Sequence, residues 1–581
     1  MAEFRFSPRT NRANDIGWME WGEAAFSKAR QEDRPVLLSV SAVWCHWCHV
    51  MDETSYSEPS VIALINSLYV PVRVDNDQRP DINLRYNMGG WPTTAFLTPE
   101  GEILAGGTYI PPEEFKRLLQ TVSTVFHTRK VDIAAAVLEA RQRQLRAQVP
   151  PPSGQLGSAI VGEVVDLLVQ DFDREHGGFG DAPKFPEIDG LLLLLFYYRL
   201  TGEVRYLDMV TQTLRAMANG GVFDQVEGGF FRYSTTADWS VPHYEKMLDD
   251  NVWLLSLCLS VYRLTGERWL AETAEKVMGY MASTLYQRET GVLGGSQDAD
   301  EAYYALSGEG RSGRQAPAVD PVAYTPWNAG AAVAFLDAWH VLGRPQARQI
   351  ALRALRFLWS KCRDRDQGMY HYFADGQAKV SGLLSDNVAV ARAWLAAYED
   401  SGSVAYLRRA QQLAAIMERD FAAPTGGFYD RREDPNAQGQ LGRRLMVLEE
   451  NAAAAEVLDR LSVWTDMSHY KDLAEGALKA LSSKYRSHGR LAAAYALAVA
   501  QHTYPAVTVK VSRVDTDRGR ALYRAGLALR HPNTLVRALA PVEGGGPSPS
   551  ALVCLGDRCL SPVREPVDLE SALNEVAAVA S

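Results

Sequence analysis

Cysteine is scarce in this chain, at six of 581 residues, too few for the disulfide framework of a small secreted domain. Long apolar runs are also missing, because the most apolar one, Leu191–Tyr198, is too short to cross a bilayer. No Lys/Arg-rich run is present, and the net charge of −10 argues against a nucleic-acid partner. The opening residues, MAEFRFSPRTNRAND, lack the apolar segment of a secretory signal. We therefore expect a cytoplasmic protein with no nucleic-acid or membrane partner.

Two of the six cysteines lie at the junction of a predicted strand and a predicted helix. Pro35–Ser41 is an apolar run typical of a buried strand, and it leads into Cys45–His49, read as CHWCH. Free N–H groups in the first turn of a helix stabilise a thiolate there. The second Cys lies one turn further on, where it can resolve a mixed disulfide. The pattern predicts a redox pair with Cys45 as nucleophile and Cys48 as resolving thiol.

Three alternatives remain open for this motif. Cys-x-x-Cys-His is also the attachment signature of c-type haem, which requires an exported chain. A metal site could use Cys45, His46, Cys48 and His49, although zinc sites usually draw ligands from two separated pairs. The cysteines could also be inert core residues. We favour the redox interpretation because the flanking strand and helix fit it, and it requires neither a cofactor nor a metal.

The order of elements after the motif resembles thioredoxin. Val70–Asp75 is typical of a second strand, Ala95–Thr98 of a third, and Glu102–Ala105 of its hairpin partner. The resemblance implies that Pro92, just before the third strand, is cis and lies against the Cys pair.

The thioredoxin resemblance also implies roles for residues near the pair. Pro92 and Trp44 would shape the surface on which a protein thiol or disulfide substrate docks. His46 would favour the thiolate of Cys45 and make the pair more oxidising. Thioredoxin has a buried acid at the position of Ser39, so proton transfer here must differ, and a neighbouring histidine could supply it.

A second pattern repeats along residues 158–504 with a period of about 60 residues. Four copies have an aromatic residue eleven positions after the first residue and a Gly four positions later, a weaker fifth copy has Asp466 at the Gly position, and another helical segment follows each. The copies begin at Glu187, Asn251, Asn328, Asn387 and, more weakly, Asn451. Each copy therefore predicts a helical hairpin with a short turn.

These five hairpins, with Ile160–Leu168 before them and Leu491–His502 after them, give twelve predicted helices. Closed end to end, they form an all-α (α/α)6 toroid of six hairpins with a funnel at one end. An open superhelix of the tetratricopeptide kind is the alternative, disfavoured because the period is too long. After Pro505 a small α/β segment is predicted, too short for a full thioredoxin fold, with Cys554 and Cys559 as reduced thiols.

The predicted protein is therefore multidomain, with an α/β thioredoxin-like domain and trailing helix at residues 1–148. A proline-rich linker follows at 149–157, because consecutive prolines exclude helix. The six-hairpin toroid occupies 158–504, and the small C-terminal α/β segment occupies 505–581.

The densest polar cluster precedes a hairpin in the toroid. Aromatic faces can stack on pyranose rings, and carboxylates with a His supply acid and base groups. The candidate substrate-binding residues of this funnel are Arg232, Tyr233, Trp239, His243, Glu245, Lys246, Asp249, Asp250, Asp298 and Asp300. Helix capping by Asp249 and Asn251 would explain part of the cluster.

These motifs together resemble the spermatogenesis-associated protein 20 (YyaL-like) family. They are Trp18–Phe26, Cys45–His49, Gly89–Pro92, Gly177–Pro186, Val241–Met247, Asp298–Asp300 and Ala551–Cys554. The resemblance implies a thioredoxin-like domain fused to a toroid similar to N-acylglucosamine 2-epimerases and glycosidases. Two features depart from the family: the connection before Gly89 is short, and Glu301–Tyr324 lacks an acidic, Gly-containing strand pattern.

Three functions of different classes follow. The first is a thiol–disulfide oxidoreductase, and the second is a carbohydrate epimerase, isomerase or hydrolase that works through the toroid. The third is a scaffold whose toroid binds a protein client. We also expect the Cys45 edge to pack against the toroid, with Trp44, Trp47 and Trp91 at the interface. Three Trp residues beside one thiol are more aromatic surface than an isolated site normally exposes.

Overall fold

The structure is a computed structural model that describes residues 6–147, 154–530, 534–539 and 548–580. It divides into two compact units. The first unit comprises Met1–Pro151, Ala374–Leu383 and Asp430–Leu445, and the second comprises Pro152–Phe373, Leu384–Tyr429 and Met446–Ser581. Most of the predicted linker, residues 149–153, lies outside the described residues. The predicted domain boundaries, and the predicted packing of the Cys45 edge on the toroid, stay predictions.

The main elements of the first unit surround one sheet. Its helices are α1 (Glu23–Glu32), α2 (His46–Glu53), α3 (Pro59–Leu68), α4 (Pro80–Tyr86), α5 (Pro112–Thr128) and α6 (Lys130–Ala147). Its strands are β1 (Val36–Ser41), β2 (Val70–Asp75), β3 (Thr93–Leu97) and β4 (Ile103–Gly107). The strand order is β2-β1-β3-β4, with β1 parallel to β2 and antiparallel to β3. This is the thioredoxin-like arrangement that the sequence predicted.

The chain just before α1 is extended and runs beside β2. The N–H of Met19 donates to the carbonyl of Pro71 at 2.9 Å, and the N–H of Arg73 donates to the carbonyl of Met19 at 3.1 Å. This pairing holds the segment extended beside β2, so α1 begins only at Glu23.

A distant segment completes the first unit. The buried guanidinium of Arg85, on α4, pairs with the buried carboxylate of Asp430 at 2.8 Å. The hydroxyl of Tyr86 accepts a hydrogen bond from the N–H of Gln440 at 2.7 Å and donates to the carbonyl of Gly101 at 2.8 Å. Residues 430–445 therefore supply buried polar partners that residues 1–151 lack on their own.

The second unit contains two concentric sets of six helices among its described residues. The inner helices are α8 (Ile188–Thr201), α10 (Leu248–Thr265), α14 (Thr325–Leu342), α16 (Leu384–Ser401), α18 (Leu448–Thr465) and α20 (Ala493–Thr503). The outer helices are α7 (Ser158–Asp171), α9 (Val204–Asn219), α11 (Arg268–Tyr280), α15 (Pro345–Lys361), α17 (Val404–Phe421) and α19 (Ser468–Leu481). Among the described helices of the whole chain, none combines the length with the low charge that a membrane crossing requires.

Short helices and strands occur in the loops that lead into the inner helices. The helices are α12 (Glu301–Tyr304) and α13 (Gly308–Ser312). The strands are β5 (Tyr233–Ser234), β6 (Pro242–His243), β7 (Lys246–Met247), β8 (Ser296–Gln297), β9 (Ala323–Tyr324), β10 (Arg363–Asp364), β11 (Gly368–Ala374) and β12 (Gln377–Ser381).

The ring of inner helices closes on itself. Each inner helix packs against the next, and α20 packs against both α7 and α8, so the last helix completes a hairpin with the first. The short turns pass through residues with left-handed backbone, which are Gly202, Gly266, Gly343, Gly402 and Asp466. The six-hairpin toroid is confirmed, and the open superhelix is excluded.

The repeated Asn holds each ring loop in position. The amide oxygen of Asn251 accepts from the N–H of Phe230 at 2.7 Å, and its amide nitrogen donates to the carbonyl of Phe230 at 2.9 Å. Equivalent bonds join Asn328 to Leu293 and Asn451 to Phe428, and the amide oxygen of Asn387 accepts from the N–H of Met369 at 3.1 Å. These Asn side chains are fully buried, so the amide satisfies backbone groups that water cannot reach. Asn251 thus clamps a loop, instead of capping its helix as the sequence predicted.

The C-terminal segment repeats the sheet topology of the first unit. Its elements are β13 (Val507–Val511), α21 (Asp517–Leu529), β14 (Thr534–Ala538), β15 (Ala551–Leu555), β16 (Arg558–Cys559) and α22 (Leu569–Ala580). The strand order is β14-β13-β15-β16, with β13 parallel to β14 and antiparallel to β15. The sequence predicted a small α/β segment here, and the structure adds that its strands follow the thioredoxin-like order.

Cys554 and Cys559 form a disulfide, so the expectation of reduced thiols is wrong. The hairpin of β15 and β16 places the two residues directly opposite each other, with Cα atoms 3.9 Å apart. The turn between the two strands sets this register. The spacing of the two cysteines in the sequence therefore did not reveal that they could form a disulfide.

Buried charges join the C-terminal segment to the ring. The guanidinium of Arg530 pairs with the carboxylates of Asp337 and Glu399 on two inner helices, and Arg263 reaches Asp337 at 3.1 Å. Burial alone would raise the pKa of Asp337, but the two guanidinium groups outweigh it and hold that pKa well below its usual range. The segment is therefore an integral part of the second unit.

Replacing Asn328 with Ala should lower the free energy of unfolding by about 3 kcal/mol, because buried backbone groups of Leu293 lose their partners. Chemical denaturation followed by circular dichroism measures this change. The matched control is Asn219→Ala, at an exposed position of α9. Equal effects of the two substitutions would contradict the structural role of the clamp.

Candidate functional site

Cys45 caps the helix that the sequence predicted to follow it. It is the N-cap residue of α2, and its Sγ accepts a hydrogen bond from the N–H of Cys48 at 3.3 Å. Both residues are free thiols, with Cys45 5% exposed and Cys48 1% exposed. A sulfur that accepts an N–H bond at a helix N-terminus is stabilised as a thiolate. The geometry therefore favours Cys45 as the attacking sulfur and Cys48 as the inner, resolving one.

Burial raises the pKa of the Cys48 thiol well above its ordinary value, and the neighbouring Cys45 raises it further. The charge of Arg73 opposes this shift. Cys48 is therefore protonated at neutral pH, and it can act as a nucleophile only after it loses that proton.

An ion pair that the sequence reasoning missed lies under α2. The guanidinium of Arg73, on β2, pairs with the carboxylate of Asp52 at 2.8 Å, and both side chains are almost fully buried. Arg73 also donates to the hydroxyl of Ser41 at 3.3 Å and lies 4.5 Å over the ring of Phe6. The sequence did show a charged residue, Arg73, inside the apolar strand VPVRVD. Its partner Asp52 could not be identified without the fold.

Trp44 and Pro92 meet at the edge of the sheet that carries the Cys pair. The peptide bond between Trp91 and Pro92 is cis, as predicted. Pairing of Val40 with Thr93 brings Pro92 to the end of β1 that leads into Cys45. Trp44 is buried and donates from Nε1 to the carboxylate of Asp77 at 2.5 Å.

Trp44 therefore does not offer an exposed ring to a partner, and its predicted part in shaping the docking surface stays a prediction. Trp47 has the exposed ring instead: it is 48% exposed, and its ring centroid lies 5.3 Å from that of Tyr109. Sequence spacing could not separate these two Trp residues, because the first turn of α2 decides which one faces solvent.

The two histidines of the motif have different surroundings. Nε2 of His49 lies 2.8 Å from the carbonyl oxygen of Val43, a hydrogen bond that ties α2 to the preceding loop. His46 is half-buried, and its ring lies 5.9 Å from that of Trp47. Among the residues described in either unit, no group of three or more His, Cys, Asp or Glu side chains has a metal-binding arrangement.

In the toroid, His243 and Glu245 form a close pair. Nδ1 of His243 lies 2.5 Å from Oε2 of Glu245, whose side chain is buried. The ring of His243 stacks on Tyr233 at 4.8 Å, and Tyr233 stacks on Phe185 at 4.6 Å. Phe185 is 41% exposed, so this stack reaches the surface of the unit.

Short strands bring further predicted residues to the same place. The N–H of Arg232 donates to the carbonyl of Glu245 at 2.9 Å. The strands β7 and β8 pair antiparallel, with Lys246 opposite Gln297. This register places the buried Asp298 opposite Glu245. The structure thus gathers five of the predicted funnel residues, which are Arg232, Tyr233, His243, Glu245 and Asp298.

Two other funnel residues are in the core, so their predicted contacts with a substrate are wrong. Trp239 is fully buried, and its Nε1 donates to the carbonyl of His176 at 3.1 Å. Lys246 is fully buried and donates to the carboxylate of Asp224 at 2.6 Å. Both residues hold loops of the ring in position. The residue types of the motif suit this role as well as substrate binding, so the sequence could not distinguish the two roles.

The remaining three predicted residues lie at the N-terminal ends of two helices. Asp249 and Asp250 are in the first turn of α10, and Oδ1 of Asp249 accepts from Nε1 of Trp253 at 3.1 Å. Asp300 is exposed and caps α12 by accepting from the N–H of Tyr303 at 2.9 Å.

Asp224 is a central residue that sequence reasoning did not select. It accepts from Lys246 and from Arg311, the latter at 2.7 Å. Burial alone would raise the pKa of Asp224, but these two cations outweigh it and lower that pKa. The signal was present as a repeat: Asp-x3-Gly-Gly-Phe begins at Asp173 and again at Asp224, and Asp173 pairs with Lys184 in the same way, at 2.6 Å.

Charged residues of three inner helices face one another inside the ring. The guanidinium of Arg392 pairs with Glu456 at 2.6 Å and lies 5.7 Å over the ring of Trp253. Surrounding protein raises the pKa of Asp189 on α8, and Glu449 adds to this shift while Arg392 opposes it. The side chain of Asp189 is exposed to solvent.

The chain is similar to known proteins over part of its length. Residues 7–145 match the family model Thioredox_DsbH, a protein of unknown function (DUF255). Human spermatogenesis-associated protein 20 is 35% identical over 312 residues, which is 49% of this chain and 39% of the human protein. Thiol:disulfide interchange protein DsbD of Pseudomonas fluorescens is 29% identical over 82 residues, 14% of each chain. The resemblance predicted from the motifs is confirmed, although the alignment spans less than half of the human relative.

Among solved structures, cellobiose 2-epimerase from Spirochaeta thermophila matches with a TM-score of 0.48 and 14% identity, covering 63% of this chain and 98% of that one. The glycoside hydrolase family 76 mannosidase Bt3792 from Bacteroides thetaiotaomicron matches with a TM-score of 0.43 and 14% identity, covering 59% of this chain and 98% of that one.

Alkylation should distinguish the two thiols of the motif. Iodoacetamide at pH 7 should modify Cys45 in the native protein and leave Cys48 unmodified, because burial raises the pKa of Cys48. Peptide mass spectrometry measures both, and modification of Cys48 should increase as the pH rises above 9. Cys258 and Cys362 are internal controls, since burial raises the pKa of each to about 12. Modification of Cys48 as fast as Cys45 at pH 7 would contradict this assignment.

Proposed function

We propose that this relative of spermatogenesis-associated protein 20 is a cytoplasmic thiol–disulfide oxidoreductase that acts on protein thiols or disulfides. The observation that carries the proposal is the hydrogen bond from the N–H of Cys48 to the Sγ of Cys45 at the N-terminus of α2. A structural pair of buried cysteines requires no such N-cap position. The thioredoxin-like sheet around it supports the same function.

The reaction begins when the Cys45 thiolate attacks one sulfur of a substrate disulfide. The substrate S–S bond breaks, a mixed disulfide forms with Cys45, and the other substrate sulfur leaves as a thiolate that takes up a proton. Cys48 then loses its proton and attacks the sulfur of Cys45. This step releases the second substrate thiol and leaves Cys45 and Cys48 joined as a disulfide, which an external dithiol reductant returns to the two thiols.

The surrounding residues favour these steps in different ways. The N-terminus of α2 stabilises the thiolate of Cys45. Arg73 stabilises the anion that Cys48 must form in the second step, and Asp52 keeps that guanidinium in position. Trp47 offers an exposed aromatic face beside the pair, which suits contact with an extended segment of a substrate protein.

Trapping tests the proposed chemistry directly. Cys48→Ser should accumulate a mixed disulfide between Cys45 and a model disulfide protein such as insulin, because the resolving thiol is missing. Cys45→Ser should form no such adduct, and both variants should reduce insulin at the uncatalysed rate with dithiothreitol. The control is Cys258→Ala, which removes a free thiol from the toroid and should keep the wild-type rate. Wild-type protein that fails to accelerate insulin reduction would argue against the proposal.

We propose a carbohydrate site in the toroid as a second candidate function. The specific observation is the pair of His243 and Glu245 beside the aromatic stack that ends in exposed Phe185. A His with a buried carboxylate partner is suited to acid–base work, and an exposed ring is suited to stacking on a sugar. Asp189, on the inner helix α8, adds a further carboxyl group, and the surrounding protein raises its pKa.

A thermal-shift screen of mono- and disaccharides on the full chain tests this second candidate. A sugar bound at this pair should raise Tm in the wild-type protein and in Cys45→Ser, and His243→Ala should abolish the increase. His469→Ala is the matched control, because His469 also pairs with a carboxylate, that of Glu418 at 3.0 Å, on the exposed side of the ring. No shift with any sugar, or equal losses in both His variants, would reject the candidate.

A further inference from the structure

A pocket lined by arginines opens on the outside of the toroid. It lies between the C-terminal end of α15, the strand β10 and the first half of α17, and its volume is about 430 Å³. Four of the lining residues are arginines, which are Arg363, Arg365, Arg408 and Arg409. In a chain with a net charge of −10, this is a local concentration of positive charge that the sequence did not indicate.

These arginines lack the partners that arginines in this protein usually have. Most other buried or half-buried guanidinium groups of the second unit, such as that of Arg530, pair with carboxylates within 4 Å. Within residues 154–530 and the other described ranges, no ion pair involves any of the four pocket arginines. Arg363 donates instead to the neutral side chain of Gln412 at 3.2 Å, and its buried Nε has no hydrogen-bond partner among the described residues.

Aromatic rings hold two of the guanidinium groups in position. Cζ of Arg363 lies 3.9 Å from the ring centroid of Trp359, and Cζ of Arg409 lies 5.2 Å from the same ring. Arg409 also lies 4.4 Å over Trp394. Because both groups are already fixed by stacking, an anion that binds them costs little additional side-chain entropy.

The cations also affect one another. Burial lowers the pKa of Arg363, and the charges of Arg365 and Arg409 lower it further, while Asp364 partly offsets them. Burial likewise lowers the pKa of Arg409. Like charges held together in this way repel, and an anion between them would remove that repulsion.

We propose that this pocket binds the phosphate groups of a small molecule. Guanidinium groups present paired N–H donors that match phosphate oxygens, and four such groups favour a ligand with two or more adjacent phosphates. The volume lies within the usual range of small-molecule sites. A nucleic-acid backbone would require an extended basic stripe, so it is the less favoured source of phosphate.

Isothermal titration calorimetry with inorganic pyrophosphate and inorganic phosphate tests the proposal on the full chain. Pyrophosphate should bind more tightly than phosphate, and its affinity should fall as salt is added. Arg365→Ala and Arg408→Ala, both at exposed positions that should tolerate substitution, should each weaken pyrophosphate binding about tenfold. The matched control is Arg356→Ala, which removes an exposed arginine of α15 that does not line the pocket and should leave the affinity unchanged.

Three results would overturn the proposal. They are no measurable binding of pyrophosphate at millimolar concentration, an equal loss of affinity in Arg356→Ala, and tighter binding of a single-stranded oligonucleotide than of pyrophosphate at the same arginines. Since insulin reduction by the Cys pair does not require these residues, Arg365→Ala and Arg408→Ala should keep that activity. The test is therefore independent of the redox proposal.

Discussion

The ring in the second unit depends on the hydrogen bonds between a buried Asn amide and the backbone of the loop before its helix. Asn251, Asn328 and Asn451 each satisfy both the N–H and the carbonyl of one loop residue. A loop that enters the core must find partners for its backbone groups, and here each helix supplies them from its first turn. The positions of His243, Asp298 and the other funnel residues follow from where these clamps hold the loops.

The sequence predicted those features that repeat or that occur at fixed spacing. The interval from Asn to aromatic residue to Gly indicated the hairpins because helix geometry sets it, and Asp466 could replace Gly because Asp tolerates the left-handed conformation that ends the helix. The Cys45–His49 motif indicated the strand-to-helix junction for the same reason. Interactions between distant positions, such as Arg73 with Asp52 and Arg85 with Asp430, required the fold.

Burial was the property that the sequence predicted least well in the candidate sites. Trp44 and Trp47 are three residues apart, and a single helical turn separates a hydrogen-bonded core side chain from an exposed one. Trp239 and Lys246 belong to a polar, aromatic motif that is typical of a binding site. Both side chains are nevertheless fully buried and pack against loops of the ring. The two thioredoxin-like sheets make the same point: β13 has the position of β1, but Ser512–Thr516 follows it without a cysteine. The candidate redox site thus depends on particular side chains at one junction and not on the sheet topology.

The dependence of the first unit on residues 430–445 has a consequence for the order of protein synthesis. The ribosome completes residues 1–151 first, and at about 5–20 residues per second it reaches Asp430 some tens of seconds later. During this interval Arg85 lacks its carboxylate and Tyr86 lacks the N–H of Gln440. The Cys45–Cys48 pair is thus synthesised long before the segment that covers Arg85 and Tyr86. Until that segment is made, water is the partner of these two side chains, and chaperones that bind nascent chains would meet the Cys pair before the first unit is complete.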